Sequence, residues 1–573
     1  MGGVVGTPII WSWDSARQTE SGETNALPLG TVNHCDCLHA AGLIANRDEL
    51  RRDLGLPTSI SDIDLILRLY DRFEVAAAGR IAGCVSFVVH DRERGRLLAV
   101  ADRSGRSRLY YLRKRDLVVL APEIKALLPF LDSLRTLDRL SIAAHVCRKP
   151  ISLDATYYEG VRAVEPGTML VADHLGLRLV SYWRLEPQPL LKLKSDDAYA
   201  EALQDLLSGV IGQYLDTESF GITLSGGLDS TAVAAVLRRL APKARIVAFR
   251  WVAPDLPEAD ESGLSVAVAR GLDLEDVALD AGSCWTLSAP DGIQTSESSP
   301  FYNCYTEMWQ EMFTAAARRG IRVLFTGLSG DHLFGGNIYA YPDLLLTGRW
   351  WELVRQLQEH LPHSKMGLRG ILSCMVLRPI LRQAFFRQLP RRSRPVSWLG
   401  RRLREVYSDP LRELSIPRWM LPGRAQRFLA LLDPALPQAN EEINRMAGLY
   451  GIDVRSPLLD HRLIEFATRL PTEQTFRAAV RKVILRNAMR NYLPETVVQR
   501  RTKIYPDTIC FRGLRERETA KVWALLTDMR AAELGYVHQD KLREVYRSFV
   551  AGEHNDTRFW NSLTLEAWLR RWF

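Results

Sequence analysis

The chain has 573 residues, too many for a single hydrophobic core, so two or more domains are expected. Hydrophobic residues make up 47% and charged residues 25%, as in an ordinary globular protein, and a net charge of +8 over this length favours an acidic partner only weakly and does not call for nucleic acid. No apolar run reaches membrane-spanning length, Met1 to Gly6 lacks the basic and apolar regions of a secretory signal, and eight scattered cysteines suit a reducing cytoplasm.

The first 190 residues or so carry short strand-like runs, Cys84 to His90, Arg96 to Ala101 and Leu117 to Leu120, separated by turn clusters such as Asp91 to Gly95. Helical spacing occurs at Ser61 to Phe73 and at Glu123 to Leu131, so residues 1–185 are predicted to form an α+β layered domain. His34, Cys35, Asp36 and Cys37, with His39, could be drawn as a metal site. Alternation on a strand splits these side chains between two faces, no second metal-binding pair follows, and a structural role is expected.

Two prolines mark residues 186–195 as a linker. Beyond it, residues 196–573 alternate strand and helix: a helix from Asp196 to Leu215, a strand Gly221 to Leu224, a second strand Arg245 to Trp251 and a third Ile321 to Phe325. This order predicts a doubly wound parallel sheet, which binds ligands at the carboxyl ends of its strands. A basic helical insertion is expected over about 345–425. Within it, Lys365 to Arg404 holds eleven Lys or Arg residues and no acid, either a solvated helical face or a docking surface for an acidic partner.

The first strand runs into Leu224-Ser225-Gly226-Gly227-Leu228-Asp229-Ser230 and then a helix-like segment. Backbone N–H groups at such a turn, reinforced by the helix dipole, can hold phosphates. The lysine of a Walker loop is missing, and SGGLDS instead resembles the pyrophosphate loop of ATP pyrophosphatases. That resemblance implies adenylation of an acid with release of pyrophosphate.

Three further segments follow in order: Thr326 to Gly335, Gly451 to Asp460, and Lys482 to Arg486 leading to Arg500 to Lys503. Together the four resemble the synthetase domain of the asparagine synthetase family. Met1 to Gly6, Asn46 to Leu50, Asp102 to Gly105 and Ala121 to Leu128 extend the likeness to its glutaminase domain, so that nearly the whole chain is covered. The resemblance implies an Ntn-hydrolase-like sandwich followed by an ATP-pyrophosphatase domain with a helical C-terminal part.

The departures narrow the expected chemistry. Gly2 stands where that glutaminase has its nucleophilic cysteine, and Ala41-Gly42-Leu43 stands for its Asn-Gly-Glu glutamine-binding triplet, so glutamine should not be hydrolysed. Two branches of the family have lost the glutaminase in this way, β-lactam synthetases and lasso peptide cyclases. Leu328 replaces both the glutamate of asparagine synthetases and the tyrosine of β-lactam synthetases, and the chain looks most like a lasso peptide cyclase.

Carried over residue by residue, the resemblance implies that Ser225, Gly226, Gly227, Asp229 and Ser230 bind the pyrophosphate portion of ATP, and that Leu224, the end of the second strand near Arg250, and Thr326 with Gly327 hold the adenosine largely through backbone atoms. Asp229 and Asp331 are the implied Mg²⁺ ligands. Lys503 would neutralise developing charge with support from Arg500 and Lys482, and Asp453 would orient or deprotonate the amine, unless it pairs structurally with Arg455. The implied substrate is a precursor peptide, with a leader-binding protein and a leader peptidase as partners at residues 365–404. A small-molecule amide or β-lactam synthetase, an ammonia-using asparagine synthetase and an inactive ATP- or peptide-binding scaffold remain alternatives.

Overall fold

The computed structural model describes residues 8–12, 23–24, 28–115, 117–131, 136–336, 339–364, 366–385, 395–407, 417, 419–501 and 507–573. The N-terminal half is built from strands β1 (Ile9–Ser12), β2 (Glu23–Thr24), β3 (Gly30–Val32), β4 (Cys35–Ile44), β5 (Gly83–Asp91), β6 (Arg96–Val100), β7 (Tyr110–Lys114), β8 (Leu117–Ala121), β9 (Val161–Ala163), β10 (Thr168–Asp173) and β11 (Gly176–Ser181). They form two sheets, ordered β2-β1-β8-β7-β9 and β11-β10-β6-β5-β4-β3.

The period of two fixes how these sheets stack. Leu97 and Ala99 of β6 meet Val118 and Leu120 of β8 in the space between the sheets. Their neighbours Leu98 and Val100 point the other way, onto the helix Asp62–Phe73, whose first turn is capped by Ser61 accepting from the Asp64 amide at 3.0 Å. Val119 and Ala121 point outward as well, but into a core shared with the helix Arg139–Val146 and with C-terminal residues such as Leu563 and Trp568. The C-terminal helices thus form the last layer of the N-terminal sandwich, an Ntn-hydrolase-like arrangement of helix, sheet, sheet and helix.

One predicted helix differs. Glu123 to Leu131 forms two 3₁₀ turns, Ile124–Ala126 and Leu128–Phe130, because Pro129 lacks an amide donor and disfavours the α conformation in the residue before it. At the amino end of β4, Cys35 and Cys37 lie buried, and burial pushes both thiols up to about 12. His34, Cys35 and Asp91 do converge, but the Arg94 guanidinium lies 3.0 Å from His34 Nε2 and 3.0 Å from Asp91, supplying the positive charge that a metal would bring.

The second half contains a five-stranded parallel sheet of β12 (Ser219–Thr223), β13 (Arg245–Val252), β14 (Glu275–Asp280), β15 (Val323–Phe325) and β16 (Asp453–Arg455), in the order β14-β13-β12-β15-β16. The chain reverses its winding between β12 and β15, and a crevice opens there at the carboxyl ends. Neither β14 nor β16 was foreseen from the sequence. The helix Asp196–Gly212 packs Leu203, Leu207 and Val210 into the core behind this sheet.

The described parts of the basic run lie in two places. Its described helices Leu368–Ile371 and Arg378–Phe385 lie near the helix Ala340–Leu346, whereas Arg401–Arg404 lies near the helix Arg139–Val146 and Gly400 donates to the Tyr536 carbonyl at 2.7 Å. Residues 386–394, which hold four of the arginines, lie outside the described residues.

Candidate active site

Ser225 to Asp229 turn from β12 into the helix Leu228–Leu240. The hydroxyls of Ser225 and Ser230 lie 3.0 Å apart, Ser225 N–H donates to Ser230 Oγ at 3.1 Å, and Gly227 N–H donates to Ser225 Oγ at 3.3 Å. The neighbouring Thr326 loop presses against this turn so closely that glycine is required at two positions. A Cβ on Gly327 would stand 2.5 Å from the Ser230 nitrogen, and one on Gly330 would stand 2.2 Å from the Asp229 carboxyl carbon. The two loops predicted to act together are therefore in contact, and the helix N-terminus between them can accept an anion.

Asp229 and Asp331 share one cation. Lys482 Nζ lies 2.5 Å from Asp229 Oδ2 and 2.8 Å from Asp331 Oδ1, and the lysine is buried. Two residues beside this cluster hold left-handed backbones, Ser329 at φ 72° and Lys482 at φ 59°, a cost of about 1 kcal/mol each. Strain of this kind persists where the surroundings enforce it. The donor set fits Mg²⁺: two hard carboxylates converge where an ammonium is already bound, at the mouth of an anion cradle.

Arg500 reaches over the loop, donating to the Gly226 carbonyl at 3.3 Å and pairing with Glu261 at 2.8 Å. Arg486 braces the same segment by donating to the carbonyls of Val498 and Arg500. That segment leads to Lys503, which lies outside the described residues. All these groups line one cavity of about 430 Å³, together with Leu224, Ser225, Gly226, Gly227, Ser230, Thr326, Gly327, Arg481 and Arg501. Its remaining lining is largely apolar, formed by Trp251 of β13 and Ala253 just beyond it, by Tyr305, Met308, Trp309 and Met312 in and beside the helix Thr306–Arg318, and by Leu328 and Ile509.

Arg250, expected to meet the adenosine through the backbone at the end of the second strand, sits between Phe249 and Trp251, which line the cavity, while its guanidinium faces away and binds Asp276 of β14 at 2.6 and 2.9 Å. Asp453 begins β16, away from the carboxyl ends. It is held by Arg455 at 2.8 Å and by Arg106 from the N-terminal half, and Arg455 in turn grips Asp216 at 2.7 and 2.8 Å. Burial opposes the Asp453 carboxylate, but the Arg106 and Arg455 guanidiniums outweigh it and lower its pKa. An aspartate so held is a poor proton acceptor and does not line the cavity; the structural pairing with Arg455 is the one observed.

Of the altered glutaminase positions, Gly2 lies outside the described residues, while Ala41 and Leu43 sit on β4. Leu43 packs against the core of the synthetase half and lines the crevice between the halves. Only about 20 Å³ of space remains in that crevice, with Arg106 extending into it to meet Cys84 Sγ at 3.3 Å.

Sequence reasoning missed Glu261, the bracing role of Arg486 and, apart from Leu328, the apolar wall. The signal for the wall was weak: Tyr305, Met308, Trp309 and Met312 do follow helical spacing, but so does any buried helix face.

Residues 202–570 match the asparagine synthase family, and residues 20–183 match a glutamine amidotransferase domain. "Asparagine synthetase [glutamine-hydrolyzing] 3" of Bacillus subtilis is 22% identical over 493 residues, covering 82% of this chain and 75% of that protein. "Amidase chyE" of Penicillium rubens is 25% identical over 565 residues, covering 87% and 80%. Among solved structures, a glutamine phosphoribosylpyrophosphate amidotransferase from B. subtilis aligns at 12% identity over 56% of this chain and 70% of that one, with a TM-score of 0.21. With well over half its length matched and the nucleotide loops of both glycine turns in contact, the chain belongs to the asparagine synthase family.

Proposed function

We propose that this ATP-dependent, amide-forming ligase activates a side-chain carboxylate of a precursor peptide and closes it onto the peptide's own N-terminal amine, as lasso peptide cyclases do. The observation that carries the reading is the altered N-terminal half. Gly2 offers no nucleophile, Ala41 and Leu43 offer no amide or carboxylate, and Arg106 with Leu43 fills the crevice between the halves. The attacking amine is then supplied by the substrate itself.

In the first step a carboxylate oxygen of the substrate attacks the α-phosphorus of ATP. The bond from that phosphorus to the bridging oxygen breaks, and pyrophosphate leaves. In the second step the amine attacks the acyl carbon, AMP leaves with the carbon–oxygen bond, and the nitrogen gives up a proton. Ser225, Gly226, Gly227 and Ser230 bind the phosphates, and Arg500, held by Glu261, closes over them. Lys503 neutralises charge on the departing group. Asp229 and Asp331 would hold Mg²⁺, which when bound neutralises and orients the phosphates. Alignment of amine and adenylate within one molecule is worth about 7 to 11 kcal/mol of barrier.

The test is incubation of the protein, ATP and Mg²⁺ with each short peptide that the neighbouring genes encode, together with any co-encoded leader-binding protein and peptidase. The peptide should lose one water by mass spectrometry as AMP accumulates. AMP without a cyclised peptide would sink the reading. A second reading, a small-molecule amide synthetase, is favoured by the cavity of about 430 Å³, within the size range of small-ligand pockets. Pyrophosphate release with free β-amino acids, and none with peptides, would support it instead.

A further inference from the structure

Three carboxylates among the described residues line the cavity, and they are held in two different ways. Asp229 and Asp331 converge on Lys482 and suit a metal ion. Glu261 is held differently. It stands at the amino end of the helix Ser262–Gly271, where an acid commonly serves the free amides, yet its side chain makes no capping bond there. Its Oε1 instead lies 2.8 Å from Arg500, and the pair is mostly shielded from water, with the arginine side chain 12% and the glutamate 17% exposed.

The pair is built into the phosphate loop. A Cβ on Gly226 would stand 2.9 Å from Leu264 Cβ and 3.1 Å from the Glu261 carbonyl oxygen, so the first turn of that helix presses on the loop and keeps Glu261 beside it. Arg500 is fixed from its backbone, its carbonyl accepting from Arg486 at 2.6 Å. One terminal nitrogen of its guanidinium binds Glu261, and the other donates to the Gly226 carbonyl at 3.3 Å, a long bond.

A carboxylate fixed beside an anion cradle opposes a phosphate ligand by like-charge repulsion. Arginine carries five donors on one planar group, so Nη1 can leave the Gly226 carbonyl for a phosphate oxygen while Nη2 keeps Glu261. Phosphate and glutamate then share one positive charge. The phosphate is gripped less firmly than by an arginine without that partner.

We infer that Glu261 is an internal anion that positions Arg500 at the phosphate loop and competes with the β- and γ-phosphates for its charge, so that pyrophosphate, once cleaved from ATP, is held loosely enough to leave. The inference rests on the placing of the phosphates at Ser225 to Ser230 and is independent of which acid is activated. Glu261 is a positioning residue, acting through Arg500 and touching no reacting atom.

Calorimetric binding of inorganic pyrophosphate with Mg²⁺ to the full chain tests this without any acid substrate. Glu261→Gln keeps the size of the side chain and removes its charge, and Glu261→Ala removes both. Each should tighten pyrophosphate at least about 5-fold, the scale for removing one unit charge close to a charged ligand near a protein surface. Glu261→Asp keeps the charge and should not tighten it. Arg500→Gln leaves the glutamate unpaired beside the loop and should weaken pyrophosphate at least about 10-fold. AMP lacks the β- and γ-phosphates, so its affinity should change less than about two-fold in the Glu261 variants. In turnover, Glu261→Gln should lower KM for ATP and kcat together and sharpen inhibition by added pyrophosphate.

A merely structural role predicts the opposite sign, since a loosened Arg500 would bind pyrophosphate less well. Weaker or unchanged pyrophosphate binding in both Glu261→Gln and Glu261→Ala would overturn the inference, as would AMP tightened by the same factor. Tighter pyrophosphate binding with no ATP–pyrophosphate exchange for any acid would leave the inference standing and remove the ligase reading. Exchange with a peptide acid, together with unchanged pyrophosphate affinity in both variants, would do the reverse.

Discussion

The two halves of this chain have kept different things. The N-terminal half is a layered sandwich in which Ala41 and Leu43 offer neither amide nor carboxylate, whereas the C-terminal half holds an anion cradle so tight that Gly327 and Gly330 admit no Cβ. Buried carboxyls differ in which force prevails, and the synthetase half holds both kinds: at Asp460 burial is outweighed by Arg462 and the pKa is lowered. At Asp91 and Asp173 of the sandwich and at Asp453 of the interface, burial is outweighed by arginines and other donors, so the pKa falls. At Glu307 and Asp343 of the synthetase half burial wins, lifting them to about 7 and about 6. Glu307 is the one that stands beside the cavity, next to its lining residue Met308.

The largest break in this contrast is expected at Asp229. Replacing it with Ala removes one of two carboxylates on Lys482 and should lower ATP–pyrophosphate exchange by at least about 10²- to 10³-fold, the scale for losing one electrostatic element of a site. Titrating Mg²⁺ into the variant by calorimetry should show weakened binding independently of turnover. Wild-type exchange in the variant would remove Asp229 from the site.

Next is Glu307, whose Oε1 accepts from the Leu287 amide at 2.9 Å one residue before the wall residue Met308. Its folded pKa, about 7, exceeds the ordinary 4.5, so the folded state holds its proton more tightly than the unfolded chain. That contribution is complete below pH 4.5 and is lost as pH rises through about 7, amounting to about 3 kcal/mol. Denaturant unfolding at pH 5 and pH 8 should therefore show a smaller decline for Glu307→Gln than for the wild type. Identical pH slopes would contradict the assignment.

The sequence made much of this legible where pattern and chemistry coincide. The strand-like run Cys84 to His90 and the turn cluster after it placed β5 within a residue or so at each end, and the glycines of Ser225 to Ser230 marked the turn between β12 and its helix. Where a tertiary partner decides the outcome, local pattern was insufficient. Asp453 reads as a base until Arg106, 347 residues distant in sequence, is brought beside it. The apolar wall is invisible for a related reason, since a helix face that lines a cavity has the same spacing as one that fills a core.

Arg106 tests the scaffold role of the first half. Arg106→Ala leaves Asp453 with Arg455 alone, and removing one partner of a largely buried pair should cost about 2 kcal/mol, discounted for the partial exposure of Asp453. Thermal unfolding should shift downward while exchange activity measured well below the transition stays within about two-fold, because the pair lies away from the carboxyl ends of the sheet. A large fall in activity with unchanged stability would mean that Asp453 acts in the chemistry after all.

The smallest effect is expected at Tyr110, whose hydroxyl donates to Glu441 across the same interface while Arg108 binds that carboxylate from 3.2 Å. Tyr110→Phe keeps the ring in its core and removes one hydrogen bond to an acid that retains its arginine, so about 1 kcal/mol should be lost. Arg108 and Tyr110 act on one carboxylate, so the Arg108→Ala, Tyr110→Phe double variant should depart from the sum of the singles by at least about 0.5 kcal/mol. Arg106→Ala with Tyr110→Phe should add more nearly, since these two residues bind different acids, Asp453 and Glu441. If all three interface residues instead couple strongly, the seam between the halves behaves as a single cooperative network, and the first half contributes more than a set of independent braces.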